Sequence, residues 1–145
     1  MEKFKIYCKN LNQEIEVSYG ATLSEIFEQH NITTINKPFG ALVNNTIRDL
    51  GYRVHKPVII DYFDYYSSYG RDMYVRSLGF MLCKTVHDLF PLNVKLHIKH
   101  SISGGRFCTF DNLEMPVDEA FVDRLKKHML MLVEKNIPFE RQTLP

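Results

Sequence analysis

The chain has 145 residues, 45% of them hydrophobic and 12% aromatic, enough to fill the core of one domain or of two small ones. Its 18 basic and 17 acidic residues leave a formal charge of +1, which argues against a chain whose main work is gripping a nucleic-acid backbone. No apolar run approaches the roughly 18 residues of a membrane span, and Met-Glu-Lys-Phe-Lys has no signal-peptide core behind it. Cys8, Cys83 and Cys108 are odd in number and widely spaced, which suits reduced thiols in a cytoplasmic protein better than a disulfide framework.

In chain order, Lys3–Cys8 and Glu14–Ser18 flank a polar connection, Lys9-Asn-Leu-Asn-Gln13, and read as a β-hairpin. Thr22 and Glu25 have the spacing of a capping box, so a short helix is predicted from Leu23 to about Gln29, with Leu23, Ile26 and Phe27 facing the hairpin. Pro38-Phe-Gly breaks the chain. Ala41–Asn44 is predicted as a strand, Asn44-Asn45 as a turn and Val58–Phe63 as a last strand. The segment Asp61–Gly70 reads as a linker, but its four tyrosines make it too aromatic for a free tether and predict docking on a domain face. Its functional alternative is that Tyr65, Tyr66 and Tyr69 form a stacking platform for bases.

From Met73 to Asn112 the pattern is helix, then hairpin. Val75, Leu78, Leu82, Val86 and Leu89 recur at steps of three and four and share a helix face. Val94, Leu96 and Ile98 alternate with Lys95, His97 and Lys99, which puts the apolar set on one side of a strand and the basic set on the other. Gly104-Gly105 is read as the hairpin turn. It is not a phosphate loop, because Arg106-Phe107 follows where G-x-x-x-x-G-K-[ST] is needed. His97 and His100, at odd spacing, are expected on opposite faces. Asp118 is the predicted N-cap of a second long helix whose apolar positions are Phe121, Leu125, Met129, Leu132 and Val133. Ile137-Pro-Phe139 is predicted as a short edge strand.

Few patterns carry chemistry. Cys83 and His87 stand one helical turn apart, but two ligands do not make a zinc site; no Gly-x-Ser-x-Gly elbow is present, and spacing alone marks no nucleophile-base pair. The remaining candidate is the basic hairpin face, Lys95, His97 and Lys99 with Arg106 close after the turn, as a site for a phosphorylated small molecule or an RNA backbone. An ordinary solvated sheet face explains the same residues.

The order of aromatic linker, Tyr-Val-Arg-Ser-Leu helix, Leu-Phe-Pro, strand, Gly-Gly and Phe-Cys-x-Phe-Asp is similar to the second additional domain of threonyl-tRNA synthetases, and the chain before it resembles a TGS domain. The resemblance implies an α+β architecture: a β-grasp domain over residues 1–64, a linker over 65–72, and a helix-on-antiparallel-sheet module over 73–145, truncated at its C-terminus. Together the two parts look most like the N-terminal half of bacterial uridine-kinase-like proteins. That implies a non-catalytic accessory region for ligand or RNA recognition, joined to a nucleoside kinase domain, a transferase that would use ATP and Mg and is absent here. No cofactor is then expected in this chain, which is either a fragment or a free-standing relative. Synthetase editing modules bind zinc through a helical His-x-x-x-His and a later Cys-x-x-x-His. The two histidine positions fall on Arg76 and Phe80, neither a plausible ligand, so no metal is expected. A zinc-dependent hydrolase of misacylated tRNA and a free-standing RNA-binding protein are the alternatives.

Overall fold

The computed structural model describes residues 2–144 and is mixed α+β, with seven strands and three helices among them. It divides into two compact units, residues 1–75 and 76–145.

In the first unit, β1 (Lys3–Cys8) and β2 (Gln13–Ser18) pair antiparallel, with Ile6 opposite Ile15 and Phe4 opposite Val17. Strict alternation buries Ile6, Cys8, Ile15 and Val17 on one face and leaves Lys3, Lys5, Glu14 and Glu16 to form ion pairs on the other. The turn is closed by Asn12 in the left-handed region, whose Oδ1 accepts from the Tyr7 hydroxyl at 2.6 Å.

Helix α1 (Leu23–Gln29) has both capping-box bonds, Thr22 Oγ1 accepting from the Glu25 amide and Glu25 Oε2 from the Thr22 amide. The second bond holds the Glu25 carboxyl below its ordinary range. Leu23 and Ile26 are fully buried on the sheet, with Phe27 packed beside them. Strands β3 (Gly40–Val43) and β4 (Thr46–Asp49) are joined by Asn44-Asn45, both at positive φ, the backbone that a two-residue hairpin loop requires. Strand β4 has only four residues and little apolar pattern, so the sequence alone does not mark it as an element. Strand β5 (Ile59–Phe63) lies between β1, to which it is parallel, and β3, to which it is antiparallel, giving the sheet order β2-β1-β5-β3-β4. Asn10 extends the β1–β5 pairing with its side chain, donating to Tyr62 O and accepting from Tyr62 N.

The expected linker is largely structured. Helix α2 (Ser68–Leu89) begins inside it, because Asp64 and Ser67 build a helix start. The Asp64 carboxylate accepts from the amides of Tyr66 and Asn36, and Ser67 Oγ accepts from the Gly70 amide. Tyr65 and Tyr69 dock, whereas Tyr66 stays 64% exposed with its ring edge-on to Tyr65. Tyr65 meets Phe39 and Tyr74 edge-on, Tyr74 stacks on Phe39, and Tyr69 packs on Phe63.

The second unit packs α2 and α3 (Glu119–Glu134) on one side of a hairpin of β6 (Lys95–Ile102) and β7 (Gly105–Asp111). Its core is Val86, Phe90, Phe121 and Leu125, with Leu82, Leu89, Val94, Leu96, Phe110 and Leu113 packed around it. The α2 stripe is therefore shifted from its predicted position. Val75 and Leu78 remain exposed, whereas Thr85 is fully buried, its hydroxyl donating back to Met81 O at 2.9 Å, and Phe90 joins the core just past the helix. Asp118 caps α3 by accepting from the Phe121 amide at 2.9 Å. On α3 Val133 faces solvent rather than the core. The turn of the β6–β7 hairpin is Ser103-Gly104, both at positive φ, and Gly105 is the first residue of β7. Residues 137–139 form no strand. Pro138 cannot donate to a ladder, and the segment closes an apolar hollow instead, with Phe139 against Phe80 at 5.7 Å.

Candidate functional site

The outer face of the β6–β7 hairpin is built by register. Lys95 pairs with Asp111, His97 with Thr109 and Ile98 with Cys108, so α2 and α3 cover Leu96, Ile98, Cys108 and Phe110 while Lys95 and His97 face outward. Ile98 reaches α2 at Gly79, where an added Cβ would lie 3.4 Å from its Cδ1.

Between Ile98 and Ser101 the register shifts. Two residues of β6, Lys99 and His100, oppose one residue of β7, Phe107. Such a bulge turns both side chains towards the partner's side, and the His100 ring stacks on Phe107 at 5.7 Å and 27°. Phe107 is two residues from Thr109 and so shares its face with His97. Thus His97 and His100 stand on the same side, contrary to the alternation that predicted opposite ones. Arg106 goes the other way. Two residues from Cys108 and opposite Ser101, it lies on the reverse side and does not join the cations.

The face is not uniformly basic. His97 Nε2 donates to Asp111 Oδ2 at 2.7 Å, and the same aspartate sits across from Lys95. Asp111 thus offsets part of the charge at the Lys95 end without an ion pair to that lysine, and the cationic character is strongest at the Lys99–His100 bulge. Reading by period two found Lys95, His97 and Lys99 but missed His100, Phe107 and Asp111. Only the cross-strand register reveals those three.

Other candidates are committed to structure. Arg76 and Phe80 are exposed on α2. Cys83 and His87 are exposed as well, and among the described residues no three of His, Cys, Asp and Glu gather as a metal ion would need. Burial pushes the Cys8 thiol up, away from the thiolate that would make it reactive. The Tyr62 hydroxyl, pushed up by the same cause, donates to Leu23 O at 2.7 Å. A cleft of 630 Å³ in the first unit is lined by Asn10, Thr33, Asp61, Asp64 and Tyr69, but Asn10 and Asp64 spend their polar atoms on backbone partners.

At the last turn of α2, Asp88 accepts from His128 of α3 at 3.0 Å and from Lys84 at 3.1 Å. These bonds hold its carboxyl below the ordinary range, the His128 bond contributing most. A carboxyl depressed in the folded state stabilises above its unfolded value, and that stability is lost as pH falls through the carboxylate range. Asp88→Asn is expected to flatten the acid side of the unit's pH–stability profile. Thermal melts at stepped pH check it, and a profile as steep as the wild type's would refute it.

No family model matches the chain. It is 27% identical over 129 residues to a threonine–tRNA ligase of Desulforamulus reducens, covering 89% of this chain and 20% of that protein. It is 26% identical over 141 residues to the ligase of Clostridium kluyveri, covering 97% and 22%, and 25% identical over 133 residues to that of Thermotoga maritima, covering 91% and 20%. The chain spans about a fifth of the length of these curated relatives. It is therefore similar, over nearly all its length, to a region of threonyl-tRNA synthetases.

Proposed function

We propose that this chain is an accessory region that recognises RNA, tRNA being the first candidate, and that the outer face of the β6–β7 hairpin makes the contact. The observation that carries the reading is similarity across 97% of the chain to a tRNA ligase, a protein that handles RNA by name. The hairpin adds a plausible contact surface, since neither Lys95 nor Lys99 forms an ion pair with another described residue. The near-zero net charge is compatible with this role because the cations need only be local. Finer readings belong with it: the first unit as a TGS-type β-grasp, supported by the parallel β1–β5 pair and the helix after the first hairpin, and the second as the synthetase-like module. The nucleoside-kinase parent drawn from motif order gains no support from the relatives found, all of them ligases. A G-x-x-x-x-G-K-[ST] motif elsewhere in the encoding gene would be its test.

The test of RNA recognition is titration of bulk tRNA at low and physiological salt. The wild type should bind, more weakly as salt rises. Lys95→Ala with Lys99→Ala should remove up to two phosphate contacts and lessen the log–log salt slope by about 1.4 to 1.8. Arg106→Ala, on the reverse side, should bind as the wild type does. No binding by the wild type, or undiminished binding by the double variant, would defeat the proposal.

The editing-hydrolase alternative requires a metal site, which Arg76 and Phe80 at the family's ligand positions disfavour. One zinc per chain by elemental analysis would restore it.

A further inference from the structure

We infer that the β-bulge of the outer hairpin face is a binding site for single-stranded RNA, with a base stacked on Phe107 and the neighbouring phosphate held by Lys99. This rests on the RNA-recognition reading above and specifies which form of RNA is bound and by which atoms.

Phe107 is a large aromatic residue, 45% exposed, on the strand face that carries Lys95, His97, Thr109 and Asp111, with the exposed Ile102 beside it towards the turn. Apolar burial does not account for its position, because the core of the unit lies on the opposite side of the hairpin. Its ring partner is His100, stacked at 5.7 Å, which holds the ring while leaving surface free for another planar group. That partner exists only because of the bulge. In an unbroken ladder His100 would point to the α2 and α3 side, and Phe107 would stand without a ring beside it.

Charge fixes the rest. Lys99 occupies the bulge beside His100, whereas Lys95 lies across from Asp111, whose carboxylate is already bonded to His97. A phosphate is therefore attracted more strongly to the Lys99 end than to the Lys95 end, where the Asp111 carboxylate offsets part of the positive charge. The resulting site is an aromatic platform with one adjacent cation, the combination that proteins use for unpaired nucleotides. A duplex cannot use it, because its bases are stacked within the helix and present no free face to a side chain.

The test uses the whole chain, a fluorescently labelled RNA strand of about 12 nucleotides without internal pairing, and a duplex of the same length, with anisotropy at low salt. The wild type should bind the single strand more tightly than the duplex. Phe107→Leu keeps an apolar group but removes the ring, and should weaken single-strand binding about tenfold while leaving duplex binding unchanged. Lys99→Ala should weaken single-strand binding more than Lys95→Ala does. Far-UV circular dichroism confirms that each variant is folded, and Phe107→Tyr, which keeps a ring, should bind as the wild type does. Equal binding of strand and duplex, or full single-strand affinity in Phe107→Leu, overturns the inference. If the lysine variants still lose affinity in that case, the RNA-recognition reading survives without it. If the wild type binds neither RNA, both fall together.

Discussion

Gly70→Ala is expected to unfold the start of α2 and to destabilise the first unit by about 3 kcal/mol or more, the upper range for overpacking. A Cβ at this position would lie 1.9 Å from Asp64 O and 2.6 Å from Asp64 C, both backbone atoms that cannot rotate away. Relief requires the Asp64–Ser67 turn to move, and that turn carries a dense set of bonds. Ser67 donates to Asp64 O through its hydroxyl, the Asp64 carboxylate holds the amides of Asn36 and Tyr66, and Ser67 Oγ holds the amide of Gly70 itself. Displacing the turn also disturbs the ring cluster of Phe39, Tyr65 and Tyr74. Hydrogen exchange read peptide by peptide is the measurement, with protection expected to fall at residues 59–75. Gly105→Ala is the control. Its added Cβ would meet nothing nearer than 3.6 Å, so it should change protection little. Equal protection in Gly70→Ala and the wild type would mean that the helix does not start where the structure places it.

The features legible in the sequence were those whose cause is local. The capping box needs only Thr22 and Glu25 three residues apart, and both of its bonds form. Asn44-Asn45 marks a two-residue loop because asparagine tolerates positive φ, and both residues adopt it. The same asparagine then does what no local rule announces, accepting from the Ile59 amide through its side chain. The start of α2 was hidden because Gly70 and the tyrosines look like linker chemistry. Glycine is there for a close backbone approach instead, and the rings pack on Phe39 and Phe63. The candidate site was half legible for a similar reason. Alternation places Lys95 and His97, but the bulge depends on how many residues β7 offers opposite Lys99 and His100, a property of two strands together. That single extra residue moves His100 beside Phe107, while the alternation of β7 leaves Arg106 on the reverse side.

In the second unit the largest effect is expected from Phe121→Ala, at about 3–5 kcal/mol. Phe121 is the first buried residue of α3, 4% exposed, and its own amide is the group that Asp118 caps. Its ring lies nearly parallel to Phe90 at 5.5 Å and edge-on to Phe110 at 5.2 Å, so it links the end of α2 to β7. Phe90 in turn carries the Arg124 guanidinium 5.0 Å above its ring. Truncation therefore removes both aromatic contacts and leaves a cavity that helix-anchored neighbours cannot readily close. Leu82, half-buried at the edge of the same cluster, should cost nearer the low end of its range when replaced by alanine, about 2 kcal/mol. Val133→Ala, at a position 59% exposed on the same helix, should stay within about 0.5 kcal/mol. Thermal melts of the three variants, with hydrogen exchange to assign each loss to residues 76–145, measure the order directly. A Val133→Ala loss as large as that of Phe121→Ala would mean that α3 presents its other side to the hairpin. The outward side of β6 and β7, and the RNA site inferred on it, would then have to be reassigned, because the same packing that buries Phe121 against Phe110 turns Phe107 towards solvent.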